Sequence, residues 1–203
     1  MNVSAPLPHD APSEEDRLRA DLYNFLGLVL ARPMDSMTLE QTAALSGDGT
    51  PLGRAIADLA RVARDTDPRA VRREYDALFI GLGRGELLPY ASYYLTGFLN
   101  EKPLARLRSD MARLRIARAT DRFEPEDGAA SLLEMMGGMI VGRFGATVPL
   151  EAQKDFFAAH VGPWMGHFFD DLATAKTAKF YSHVGAVGAA FMEIEREAFR
   201  LAA

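Results

Sequence analysis

The residues best able to do chemistry are few. Four histidines occur, His9, His160, His167 and His183, and no cysteine. His160 and His167 lie seven apart on one expected helix, about 10 Å at 1.5 Å per residue, too far to share one ion on a straight helix. No Glu-x-x-His, HExxH or GxSxG occurs, so the di-iron, zincin and serine-nucleophile signatures are missing. The densest acidic knot outside the N-terminal segment is Glu124, Glu126 and Asp127 around Pro125. At an expected helix start, the macrodipole alone accounts for such charges. The stretch FIGLGRGELLPYASYYLTGFL, 79–99, gathers glycines, a proline and three tyrosines. A phosphate loop would need GxxxxGK[ST], and GLGRGELLP has neither the lysine nor the hydroxyl. A dinucleotide fingerprint would need a strand first, whereas VRREYDALF has helical spacing. Tyr90, Tyr93 and Tyr94 beside Pro89 supply the amphipathic rings that are enriched where one protein holds another.

The elements that carry these residues are legible from spacing. Ser13 and Asp16 form an acidic variant of the capping box before a stripe of Leu18, Leu22, Phe25, Leu26, Val29 and Leu30. Pro33 ends that helix. Further helices are expected over 36–45, 52–64, 68–79 and 92–100, then from Pro103, from Pro125 to about Phe144, from Pro149 with a bend at Pro163, and over 177–201. Asp67-Pro68 opens the fourth, and SGDGTP at 46–51 is a loop. No sustained alternation predicts strands, and no internal repeat is visible. The expected fold class is all-α, a single-domain multi-helix globule over 13–203, with 1–12 a disordered tail.

Composition narrows the function classes. The chain has 203 residues and a net charge of −5, so a general nucleic-acid footprint is not expected, while a cationic partner is compatible. Six arginines fall between 103 and 122 (106, 108, 113, 115, 118, 122), which reads as a solvated helix face. The methionines of EMMGGM, 134–139, read as core. The apolar runs are too short to span a bilayer, and the N-terminus lacks the basic and apolar regions of a secretory signal. These features predict a soluble cytoplasmic binding module with no visible catalytic site.

Three stretches extend this reading. EYDALFIGLGRGELLPYASYYLTGFL resembles the signature of the TorD/DmsD family of redox-enzyme maturation chaperones. EPEDG, 124–128, resembles its Glu-Pro-x-Asp-His motif, with Gly128 where the family has histidine, and residues 156–195 resemble its C-terminal helices. The likeness covers roughly 15–200. It implies an all-helical cytoplasmic chaperone, not an enzyme and holding no cofactor of its own. Its partners would be the twin-arginine leader peptide and the apo-form of a molybdopterin oxidoreductase, without nucleic acid or membrane insertion. The implied peptide-binding set is Tyr75, Leu78, Phe79, Gly81, Pro89 and Ser92, with Glu124, Pro125 and Asp127 opposite; Glu126, Tyr90 and Tyr94 join it as a further carboxylate and rings. GRGELLPY and YLTGFL look most like members associated with formate dehydrogenases. The alternative is a guanine-nucleotide switch or enzyme using the 81–86 loop.

Overall fold

The computed structural model describes residues 12–118 and 124–202, and among them the fold is all-α. Helix α1, Glu14–Ala31, starts where Ser13 Oγ accepts the Asp16 N–H at 3.0 Å, and it ends at an extended Arg32 before Pro33. Helix α2 is Ser36–Ala43, capped by Asp35. Helix α3, Pro51–Arg64, is capped by Thr50, and α4, Pro68–Tyr75, by Asp67, each with proline in its first turn. Helices α5, Ala91–Thr96, and α6, Lys102–Arg113, precede α7, Ala129–Val141. Then come α8, Leu150–Phe156, α9, Met165–Thr174, and α10, Phe180–Leu201.

Helix α1 packs on α7, and α10 on α9 and α3. Close approach of α10 to α9 needs Gly188, where a Cβ would stand 2.2 Å from the Phe169 ring. One buried polar network crosses this core. Glu195 on α10 accepts from Arg19 Nε and Nη2, each at 2.8 Å, and from the Tyr23 hydroxyl at 2.8 Å. A buried carboxylate persists only with such compensation. Met135, Met136 and Met139 are core, as the sequence reading has them.

Several boundaries differ from expectation. The helix expected from 68 to 79 is α-helical only to Tyr75, then widens into a π-turn, Asp76–Ile80; a second π-turn, Phe157–Val161, follows α8. The last helix starts at Phe180 rather than 177. Acidic side chains from elsewhere hold the preceding backbone: Glu86 accepts from the N–H groups of Lys176 and Thr177, and Glu74 from those of Lys179, Phe180 and Tyr181. The helix expected from Pro125 begins only at Ala129, so the acidic knot precedes α7 rather than forming its first turn. Apart from Pro12, the expected tail lies outside the described residues, as do Asp121 and Arg122 of the arginine-rich segment.

Candidate functional site

The segment after the glycine loop and the segment before α7 meet as a single antiparallel bridge, Tyr90 against Gly128. Ala91 N–H donates to the Asp127 carbonyl at 2.9 Å, and Ala129 N–H to the Pro89 carbonyl at 2.8 Å. The bridge brings Pro89, Tyr90 and Ser92 against Pro125, Glu126 and Asp127. Asp127 is only 1% exposed, and its Oδ2 accepts the Ser92 N–H at 2.8 Å. It therefore serves a helix N-terminus, that of α5, which lies 35 residues away in sequence. The other carboxylate oxygen, Oδ1, and Ser92 Oγ are buried without a partner among the described residues.

Glu126 is also engaged by its own chain. Arg108 of α6 donates to Oε2 from Nε and Nη2 at 3.1 and 2.9 Å, while Arg118 Nη1 stands 3.6 Å from Oε1. Arg118 spends its hydrogen bond on the Glu124 carbonyl, at 3.0 Å. Burial, the largest single effect, disfavours the Glu126 carboxylate, but the Arg108 hydrogen bonds, its own backbone N–H and the charges of Arg108 and Arg118 together hold the group below its ordinary pKa. Glu124 is exposed. Tyr75 is pushed up to about 12, chiefly by burial and next by the Glu124 charge. Burial likewise raises Tyr90, with Glu124 and Asp127 adding to the shift.

These carboxylates border a cleft of about 250 Å³. Its walls combine Met111, Ile116, Met135 and Phe144 with Arg118, Glu124, Glu126 and Glu134. A lining that mixes apolar side chains with carboxylates suits a long cationic side chain, whose stem would lie on the apolar part while its head is hydrogen-bonded.

Other members of the expected set lie elsewhere. Leu78 is fully buried. Tyr75 donates to the Leu30 carbonyl at 3.1 Å and meets Phe79 edge-on at 5.0 Å. Phe79 in turn packs on Tyr181. Tyr94 donates to Asp171 at 2.8 Å and packs against Trp164 and Phe168, so it faces inward. Gly81 has φ +62°, and a Cβ there would strike the Arg84 carbonyl at 1.9 Å. It thus turns the chain out of the π-turn rather than opening space for a ligand. Sequence reasoning missed Arg108 and Arg118 as partners of Glu126. Their only signal was membership of the arginine run.

Among the described residues no cluster of three or more potential ligands could hold a metal ion. No helix there is long and apolar enough to cross a membrane. His160 is buried, with Nε2 2.8 Å from Asp110 Oδ2, and His167 is exposed, in keeping with satisfied or solvated histidines.

The helical frame that carries the bridge and the acidic corner is shared with known proteins. Residues 46–170 match the family described as nitrate reductase delta subunit. The chain is similar to the chaperone protein TorD of Vibrio cholerae serotype O1 (strain ATCC 39541), 23% identical over 198 residues, with 88% of this chain and 90% of the relative covered. To the TorD chaperone of Aliivibrio fischeri it is 25% identical over 205 residues, with 87% and 92% covered. A crystal structure from Archaeoglobus fulgidus, assigned as a redox enzyme maturation protein, shares the fold with TM-score 0.56 at 18% identity, covering 93% of this chain and 99% of that one. The chain belongs to the TorD/DmsD family of redox-enzyme maturation chaperones, within the nitrate reductase delta subunit group.

Proposed function

We propose that this protein is a cytoplasmic chaperone that binds the twin-arginine leader peptide of a molybdopterin oxidoreductase subunit and retains it until its cofactor is loaded. A subunit of the formate dehydrogenase type is the favoured client, on the resemblance of GRGELLPY and YLTGFL. The observation that carries the reading is the cleft in which Glu124 and Glu126 adjoin Met111, Met135 and Phe144. A leader presents arginines followed by an apolar segment, and the cleft offers both kinds of surface. Charge-assisted hydrogen bonds to the guanidinium groups would fix the register. Apolar contact would supply most of the affinity.

The nucleotide alternative finds less support in the glycine loop. It lacks the lysine and hydroxyl of a phosphate loop, and the amides at its two ends are committed internally, Gly81 N–H to the Asp76 carbonyl and Glu86 N–H to that of Ala77. Glu86 ends the loop with a carboxylate, which is engaged by the N–H groups of Lys176 and Thr177. Calorimetric titration of the full chain with a synthetic twin-arginine leader, its twin-lysine counterpart and GTP tests the proposal. Saturable binding of the arginine peptide, weaker binding of the lysine peptide and no response to GTP are expected. Binding of GTP without binding of the leader would overturn it.

A further inference from the structure

Resting on that reading, the geometry around Glu126 points to a specificity device: we infer that Arg118 is a built-in stand-in for a ligand arginine, displaced when the leader binds. The two arginines on Glu126 are not equivalent. Arg108 projects from the regular helix α6 and makes two hydrogen bonds to Oε2. Arg118 lies four residues beyond the Leu114 cap of α6, past Arg115 with its left-handed φ of +58°. Its contact with Oε1 is an ion pair at 3.6 Å without a hydrogen bond; exposure does not separate the two side chains, at 53% for Arg108 and 38% for Arg118, but the hydrogen bonding does. Arg108 is therefore the fixed partner and Arg118 the exchangeable one.

Arg118 also lines the cleft, together with both carboxylates. It engages two acceptors there, Glu126 Oε1 by charge and the Glu124 carbonyl by a hydrogen bond. A guanidinium entering along Met111 and Met135 would meet these same two acceptors, and its planar fork suits both at once. While Arg118 occupies them, a stray cation has little to gain. A ligand must displace one guanidinium with another and add apolar contact, which favours an arginine attached to an apolar segment.

Exchange leaves the number of ion pairs at this corner unchanged, so the wild-type complex should show a shallow salt dependence there. Removing the stand-in changes both quantities. In Arg118→Gln the ligand gains a pair that no internal group competes for. Exposed pairs are worth up to about 1 kcal/mol, so the twin-arginine peptide should bind roughly two- to fivefold more tightly. That gain should shrink as salt rises. Arg61→Gln makes the control: it removes the same charge from an exposed α3 pair with Asp58 and should not tighten binding. The test is calorimetric titration of wild type, Arg118→Gln, Arg118→Lys and Arg61→Gln with the peptide at low and moderate salt, with melting curves alongside. Arg118→Lys keeps the charge but loses the fork, so it should fall between wild type and Arg118→Gln, and it carries the test should the glutamine variant not fold. Tighter, more salt-sensitive binding in Arg118→Gln is the expected result. Equal or weaker binding by folded Arg118→Gln, or equal tightening by Arg61→Gln, would overturn the stand-in and leave the leader-peptide reading intact. No peptide binding by wild type or any variant would overturn that reading and the inference with it.

Discussion

Asp127 gives the sharpest test of how the corner is built. Its Oδ2 holds the Ser92 N–H at the start of α5, in a position only 1% exposed. Truncation to alanine removes a hydrogen bond to a charged acceptor and strands a buried donor, a loss of about 1.5–3 kcal/mol. For a chain of this size each kcal/mol moves Tm by about 2–4 °C, so Asp127→Ala should melt roughly 3–12 °C below wild type. Asp127→Asn keeps an oxygen for the Ser92 N–H but loses the charge assistance. It should fall between, at about half the alanine loss.

The unpartnered Oδ1 argues in the other direction, since a buried carboxylate oxygen without a donor is a standing penalty. The order of the three proteins decides which effect wins. Wild type above Asn above Ala means that the capping interaction dominates. Thermal unfolding by circular dichroism, with leader titration on the same samples, reads both quantities. An Asn variant more stable than wild type would refute the charge-assisted cap, because it keeps the accepting oxygen and loses only the charge. So would an alanine variant with unchanged Tm and lost leader affinity, which would make Asp127 a ligand contact instead.

Two further outcomes follow from contacts that the sequence did not announce. Glu74 accepts three backbone N–H groups where α10 begins, so Glu74→Ala should lose about 1–2 kcal/mol, read as a lower urea midpoint with an unchanged m value. His160 is depressed from 6.5 by burial, only partly offset by Asp110, so its neutral form contributes stability above that pH and the contribution is lost as pH falls through the folded pKa. In His160→Gln the decline in stability between pH 6.5 and the carboxylate range near about pH 4 should be shallower, by urea titration at several pH values.

How much of this could be read in advance depends on the range of each interaction. The α1 cap at Ser13, the Asp67-Pro68 start and the apolar stripe of α1 are encoded within a few residues, and each forms as its local pattern dictates. The π-turn after Tyr75 is not encoded in that way, because its extra residue per turn accommodates packing of Phe79 on Tyr181, about a hundred residues on in the chain. Asp127 shows the same limit. A carboxylate next to an expected helix start looks like a cap for that helix, yet it caps α5 across the bridge. The arginine run reads as a solvated face, and its members among the described residues are exposed, but Arg108 and Arg118 reach the carboxylates that the acidic knot was expected to offer a ligand. Charge pattern places such groups on a surface; it does not say which of them meet.

That internal pairing changes where the affinity of a leader peptide must come from. Were Glu124, Glu126 and Asp127 all free, two ligand arginines would gain several charge-assisted contacts, and charge alone could hold the peptide. Asp127 instead faces inward, and Glu126 already has two guanidinium partners. On the proposed reading, ligand arginines replace or join existing contacts, and the net electrostatic gain is small. Burial of apolar surface then decides affinity. At about 25 cal/mol per Å², each 100 Å² or so of apolar cleft wall and peptide removed from water would contribute roughly 2.5 kcal/mol before ordering costs, against the 1 kcal/mol or so of an exposed ion pair. Half-buried Phe144 and the edges of the core residues Met111 and Met135 that reach the cleft are suited to that part, the unbranched thioethers adapting to peptides of different shape. The charges then select the arginine motif, and the methionine wall holds whatever apolar sequence follows it.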